Sequence, residues 1–444
     1  MGEARLLGSA AVDARFDAVV AEAELRLAEW GIPGAAIGIL GGGEESYANL
    51  GVTSVENPLP VDEDTLFQAG SITKTLTATA ALRLSQSGKL DLDVPVRTYL
   101  PDLRLADEEV AERITMRDLL SHGGGFAGDL FDDLGWGDDA LARIVDRIHE
   151  APQLTPLRAV WSYNNAGFYA AGRVLEAITG STYEDVVREL VLDGALFFPW
   201  EIMARRFVVG HVTEDERVKV TSTWAVPRTA APAGGLLAGT RTLLRYARMH
   251  LEDPSLASMQ EPVLPILENE SMGLAWFVKD GRGPRIVEHG GTTSGQCAWL
   301  TLVPEHGLAV AVLTNHAQGH VLIGHVRERA LAEYAGVEPW SPVGRDLTPA
   351  ELEEYAGTYE AYFSWARLRL EDGRLVLELE SKGGFPKPDS PPQPSPPPAA
   401  VAFTGEDAFY VPEGVLRNQR ARILRDADGR IEWLRFGHRI HRRQ

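Results

Sequence analysis

Ser71-Ile72-Thr73-Lys74 sets a hydroxyl and an amine three residues apart at what reads as a helix start, just after a strand and the Gly70 break. That spacing puts both side chains on one helix face, so the amine can reach the hydroxyl. The helix start adds unpaired backbone N–H groups and a positive end where an oxyanion would form. Together these are the parts of an activated serine nucleophile. A serine N-cap beside a solvated lysine would give the same four letters, so the tetrapeptide alone does not decide. Two further elements stand downstream: Tyr163-Asn164-Asn165, and His289-Gly290-Gly291 on a predicted strand.

Positioning them requires a scaffold. Residues 13–30 alternate apolar and charged positions with a helical period and stop at Gly31-Ile32-Pro33-Gly34. Ala35–Leu40 and Glu45–Val52 read as a hairpin around Gly41–Gly43. From Ser71 to about Thr240 the pattern is mostly helices and loops. Gly273–Lys279, Arg285–His289, Cys297–Val303 and Leu308–Leu313 then read as successive antiparallel strands, closed by a helix over Val321–Tyr334. Strands from both ends with helices between them predict one mixed sheet, with a helical insertion as the other wall of a cleft. After a boundary at Pro339–Gly344, strands alternate around Asp372-Gly373 and around Asp428-Gly429, the signature of a small all-β unit. Between those hairpins, Pro386–Pro398 holds eight prolines in thirteen residues, which predicts an extended, mobile loop.

The ordered set resembles the serine hydrolases of the penicillin-binding-protein and class C β-lactamase superfamily. Phe67–Leu103 resembles the family's nucleophile helix and the loop after it. Leu119–Phe126 (LLSHGGGF), Pro232–Gly235, Glu288–Gly295 and Leu308–Asn315 match further landmarks, so the likeness spans roughly residues 12–335. It implies an α+β fold: a β-lactamase/transpeptidase-like domain over residues 1–340, with an antiparallel sheet flanked by helices plus a helical insertion. A small all-β, barrel-like domain over 346–444 would follow, similar to the lipocalin-like unit that some D-aminopeptidases and stand-alone thioesterase-like peptide cyclases append.

The resemblance also implies roles. Ser71 would carry the acyl group, with Lys74 as a neutral amine that accepts its proton. Tyr163 would be the partner base, as a phenolate or as a proton shuttle, and Asn165 would bond Lys74 and the substrate's amide. The backbone N–H groups of Ser71 and Thr292 would form the oxyanion hole. Gly290 and Gly291 would border the substrate, as would Trp224 and Arg228. His289 stands where many relatives carry a lysine whose permanent charge suits a substrate carboxylate. Histidine is mostly neutral at pH 7 unless a neighbour such as Glu288 raises its pKa. The change argues against β-lactamase activity and towards esterases, aminopeptidases and cyclases.

Three motifs are read as structural. Tyr47-Ala48-Asn49 lies in an edge hairpin before the nucleophile. His122-Gly123-Gly124 follows a helix, where a helix-end hydrogen bond is its expected job; a Ser-His-Asp triad with Ser71 is the lesser alternative. Cys297, the sole cysteine, falls in an apolar strand and reads as core. No cysteine–histidine spacing suggests a metal, and no cofactor is implied.

Composition narrows the class. The chain has 444 residues, 44% apolar and 24% charged, enough for two domains. Its net charge of −20 argues against nucleic acid or an anionic membrane as partner. The first residues, MGEARLLGSAAVDARFD, lack the apolar run of a secretory signal, which predicts a cytoplasmic location. The Arg-rich C-terminus (Arg420, Arg422, Arg425, Arg435, Arg439, Arg442) on so acidic a chain predicts docking onto the large domain; in some relatives of this build an arginine from the appended unit reaches the active site. The expected partner is a small-molecule or peptide substrate. The expected function is hydrolysis of ester or amide substrates, peptide-like and of D configuration among others. Acyl or peptidyl transfer from a carrier-bound donor ranks second, and a catalytically silent ligand binder third.

Overall fold

A computed structural model describes residues 13–444 except 225, 282, 386 and 393; the N-terminal stretch read above for a secretory signal lies largely outside them. Two antiparallel sheets organise the chain. The first contains β1 (Gly34–Gly41), β2 (Glu44–Gly51), β3 (Leu264–Leu267), β4 (Glu270–Met272), β5 (Phe277–Lys279), β6 (Ile286–Thr293), β7 (Gln296–Val303) and β8 (Leu308–Thr314), in the order β2-β1-β8-β7-β6-β5-β4-β3. N-terminal β1 thus lies beside β8, with Ala35 opposite Thr314, and strands from distant parts of the sequence form one sheet.

β1 and β8 are almost wholly buried because helices cover both faces. On one side α1 (Ala14–Glu29) and a late helix pack through Val19, Ala23, Leu322 and Val326 onto Ile37, Ile39, Val310 and Val312. On the other lies the larger core, which contains α2 (Thr73–Gln86) and α3 (Ala166–Thr179). Eleven of the fourteen residues of α2 are buried, so it is an interior helix even though it carries four threonines and Lys74 among its buried residues. The late helix α4 (Gly319–Ala335) ends at Gly336 in the left-handed conformation, φ 62°. Small hairpins, such as His211–Glu214 with Arg217–Val220, interrupt the region read as helices and loops. Their turn is Asp215-Glu216, both at positive φ, which lacks the Gly or Asn signal of such turns.

The second sheet has nine strands: β9 (Gly357–Glu360), β10 (Ser364–Glu371), β11 (Arg374–Ser381), β12 (Ala399–Ala400), β13 (Ala402–Gly405), β14 (Ala408–Tyr410), β15 (Arg420–Arg425), β16 (Ile431–Phe436) and β17 (Arg439–Arg443). Their order is β12-β11-β10-β9-β17-β16-β15-β14-β13. The two edge strands are consecutive in the chain, so the sheet curls into a nearly closed barrel around Tyr359, Leu368, Leu377, Phe409, Ile423 and Leu434. Asp372 and Gly373 take positive φ at the β10–β11 turn, as the dipeptide predicts.

The proline-rich loop differs from expectation. Just ahead of it the Gly384 N–H donates to the Ser390 carbonyl at 2.9 Å, and Phe385 packs edge-on against Phe131 of the large unit, centroids 5.0 Å apart. The aromatic next to the prolines anchors the start of the loop against the large unit, where composition alone suggested a free segment.

Candidate active site

Gly70 adopts φ 52° and lets the chain turn from the short strand Phe67–Gln68 into the single turn Gly70–Ile72 that leads into α2. That turn is pinned from two sides: Thr73 Oγ1 donates to the Gly70 carbonyl at 2.6 Å and accepts from the Leu236 N–H at 3.0 Å. Ser71 therefore projects from a fixed corner, half-buried, beside β6. A Cβ on Gly291 would lie 2.0 Å from the Ala69 carbonyl oxygen and 2.9 Å from Ser71 N. Glycine there is what lets β6 press against the nucleophile's turn. The same approach brings Thr292 N to 3.0 Å from where a Gly70 Cβ would stand, so the Ser71 and Thr292 amides flank one spot. Gly290 leaves room for the Trp299 ring, 2.3 Å from its would-be Cβ; its constraint is packing.

Lys74 is wholly buried. Its Nζ lies 3.1 Å from Ser71 Oγ, 2.7 Å from Asn165 Oδ1 and 2.8 Å from the Ala233 carbonyl. Desolvation pushes its pKa well below the lysine range, and the nearby Arg439 cation pushes the same way. With no carboxylate on it, the neutral amine is well accommodated: its two N–H groups can donate to Asn165 Oδ1 and the Ala233 carbonyl while its lone pair accepts the Ser71 hydroxyl.

Tyr163 is buried, and Lys74 Nζ stands 4.8 Å from its ring centroid. Burial raises its phenol above the usual range, while the Ser71 hydroxyl and Arg439 pull it down. Of the two forms expected for Tyr163, the resting phenolate is disfavoured: the adjacent lysine, being neutral, supplies no charge to hold it. Burial favours the protonated phenol at rest.

His289 points towards the same space, its ring 6.1 Å from that of Tyr163. Its Nδ1–H donates to the Gly290 carbonyl at 2.6 Å, leaving Nε2 buried without a hydrogen-bond partner. Burial, and then Lys74, lower its pKa to about 3. Glu288 raises it only weakly, too little to offset burial. Strand alternation sends Glu288 to the opposite face, where it accepts from Lys279 and Arg327 at 2.5 Å each. His289 Nε2 and the Tyr163 hydroxyl make no hydrogen bond to each other among the described residues.

Asn165 does more than touch Lys74. Its Nδ2 donates to Asp129 Oδ1 at 2.8 Å, and Asp129 in turn accepts two bonds from Arg439, at 2.5 and 2.7 Å. Arg439 opens β17, so the barrel contributes a side chain three hydrogen bonds from the lysine, by way of Asn165 and Asp129. Its guanidinium carbon is 5.2 Å from the Tyr163 ring centroid. The β16–β17 turn, Gly437-His438, has positive φ at both residues, and its His438 carbonyl accepts the Tyr163 backbone N–H at 2.9 Å. The basic C-terminus docks as expected through Arg439 and Arg420, the latter paired with Glu270. Arg425 instead pairs within the barrel, with Asp407 and Glu354.

Two expected substrate residues are corrected. Arg228 is held by both oxygens of Glu184 (3.0 and 3.1 Å) and by Asp138 (2.7 Å), so its charge is already matched. The Trp224 indole donates to the Val208 carbonyl at 2.9 Å and packs on Phe207, a packing role. His122 lies beneath Tyr163, ring centroids 4.3 Å apart, and its Nδ1 accepts the Asn164 N–H at 2.9 Å. It bonds no carboxylate among the described residues and supports the Tyr163 segment, which leaves the triad without its third member. Tyr47 bonds Glu45 on the edge strand, and Cys297 is core, its thiol pushed up to about 11 by burial.

Comparison with known proteins agrees with this geometry. A family model described as Beta-lactamase matches residues 12–334. Penicillin-binding protein 4 of Amycolatopsis lactamdurans is 33% identical over 78% of this chain and 96% of its own. Esterase EstB of Burkholderia gladioli is 35% identical over 42% of this chain and 50% of its own. Among solved structures, SurE superposes with TM-score 0.75 at 25% identity over 98% of this chain and all of its own, so the likeness includes the barrel. The chain belongs to the β-lactamase and penicillin-binding-protein family of serine hydrolases.

Proposed function

We propose that this protein is an acyl-enzyme hydrolase of ester or amide substrates, with Ser71 as nucleophile. The observation that carries the reading is Lys74: a fully buried amine 3.1 Å from Ser71 Oγ, its pKa lowered by desolvation. Lys74 takes the hydroxyl proton as Oγ attacks the carbonyl. The Ser71 and Thr292 N–H groups receive the oxyanion. Tyr163, protonated at rest, passes a proton to the leaving group and is recharged from Lys74. Water then repeats the sequence on the acyl-enzyme.

Neutral His289 removes the fixed cation that a substrate carboxylate would meet, so neutral esters and amides are preferred over penicillins. The esterase relative is consistent with that preference. Transfer of the acyl group to an amine of the substrate is the second reading. It is favoured by the barrel hairpin that roofs Tyr163, since a covered acyl group is shielded from bulk water.

Intact-protein mass after brief incubation with a p-nitrophenyl ester, a D-aminoacyl amide, a peptidyl thioester or a penicillin tests both. The expected result is an acyl adduct on wild type, best with the ester or amide and absent in Ser71→Ala. An added amine that diverts the acyl group from water selects the transferase reading. Turnover surviving in Ser71→Ala would refute the nucleophile.

A further inference from the structure

A second cavity, of about 410 Å3, lies between the barrel and the face of the sheet opposite His289. Its polar side is the Lys279–Glu288–Arg327 cluster and its apolar side includes Ile266, Phe277, Val321 and Val415. We propose that this cavity is a binding site for a monoanionic amphipath, a carboxylate on an apolar body. Its lining meets the candidate active site at Phe277 and His438, which pack against His289 and Tyr163, but the inference does not depend on the acyl-enzyme reading.

The charge count carries it. Four carboxylates border the cavity: Glu29, Glu270, Glu288 and Glu328. Glu270 pairs with Arg420 and Glu328 with Arg417, while Glu29 shares Arg26 with Glu22, so any positive excess is confined to the Lys279–Glu288–Arg327 cluster. Glu288 alone is shared by two cations, with Lys279 on one oxygen and Arg327 on the other, both at 2.5 Å. The cluster therefore keeps one positive charge in excess.

The donors are unequal too. Glu288 is 1% exposed and its second oxygen also accepts from Trp299 and Thr301, so it has little capacity left. Lys279 and Arg327 each make a single hydrogen bond among the described residues, leaving two ammonium and four guanidinium N–H groups. Their side chains remain 29% and 21% accessible, and both line the cavity. Nearby, His438 also lines the cavity. One carboxylate would neutralise the excess, whereas a phosphate dianion would overshoot it. The apolar wall selects a hydrocarbon or aromatic body, and the volume is that of a small-ligand site.

Gly324 supplies the test. It borders the cavity on α4, and a Cβ there would meet nothing within 4 Å. Gly324→Leu places an apolar side chain at the cavity wall, its Cβ free of contacts, and favours the helix. Lys279→Gln removes the excess charge but leaves the Glu288–Arg327 pair. Calorimetric titration of the full chain with phenylpropionate is expected to show saturable one-to-one binding, and phenylpropionamide at least about tenfold weaker binding. Lys279→Gln should weaken phenylpropionate binding about ten- to a hundredfold, and Gly324→Leu should abolish it with circular dichroism unchanged. No saturable binding by wild type, equal affinity for the amide, or binding that survives Gly324→Leu would each overturn the site. Loss in Gly324→Leu with none in Lys279→Gln would overturn its preference for an anion.

Discussion

In the proposed mechanism Lys74 activates Ser71, and burial lowers its pKa towards a neutral amine whose working range is set by what surrounds it. Desolvation is the largest influence on Lys74, Arg439 lowers its pKa further, and Asp129 opposes both. Acylation needs the unprotonated amine, so a lowered pKa keeps the rate high towards neutral pH and costs it only where Lys74 takes up a proton. Removing Arg439 deletes a cation and leaves Asp129 uncompensated, and both changes raise the Lys74 pKa. In Arg439→Ala the acid limb of the acylation rate should therefore move to higher pH, read by stopped-flow release of p-nitrophenol. An unshifted limb would show that Arg439 does not act on Lys74. His289, with a pKa of about 3, lies too low to supply that limb, and His289→Gln should leave its position unchanged. Of the residues involved, Ser71, Lys74, Tyr163 and Asn165 were legible through the family resemblance of their ordered motifs, since the Ser71–Lys74 spacing alone did not decide. Asp129 and Arg439 were not: one is a lone acid in a loop and the other is one arginine among many near the C-terminus. Their meaning lies in a contact between residues 310 positions apart.

Elements meet at this site through glycines as much as through side chains. Gly291 allows β6 to pass against the nucleophile's turn, and any Cβ there would intrude 2.0 Å from the Ala69 oxygen. The Gly291→Ala chain must move β6 away, displacing the Thr292 amide from the spot it shares with Ser71 N. Loss of one oxyanion donor typically costs about 10²–10³ in rate. Gly291→Ala should show that loss in acylation while its circular dichroism stays that of wild type; near-normal acylation would remove Thr292 N from the oxyanion hole. The central strands, the helix before them and the hairpin at Gly41–Gly43 were readable because buried strands are continuous apolar runs and helices keep their period. The β4–β5 edge was read as one strand, Gly273–Lys279, where the chain forms a tight hairpin. Ala275 at φ 59° makes part of that turn, and alanine gives no turn signal. Trp224 and Arg228 were misplaced for a related reason: an aromatic and a cation near a cleft look like substrate contacts until their partners, Val208 and Glu184, are seen.

At the scale of the whole molecule, the barrel is bound to the catalytic unit by the groups that finish the site. Its hairpin tip supplies the Tyr163 backbone acceptor and the Arg439 guanidinium, and Arg420 adds a pair to Glu270. The hairpin signals of the barrel were present in the sequence, and its docking was foreshadowed by basic residues on an acidic chain; the tip that enters the site carries no motif. Non-glycine residues at positive φ are uncommon outside functional or tightly determined turns, and His438 at 66° is one, next to Trp161 and Phe277. If docking and catalysis share these contacts, the two units should melt together. Asp129 is 5% exposed, and stripping a buried carboxylate of its arginine costs about 3 kcal/mol, enough to loosen the interface without unfolding either core. Scanning calorimetry of wild type should show one transition. The double variant Arg420→Ala/Arg439→Ala should show two, the lower accompanied by loss of Ser71 acylation. A single transition retained in the double variant, with acylation intact, would mean that apolar contacts alone seat the barrel and that its arginines are dispensable to the site.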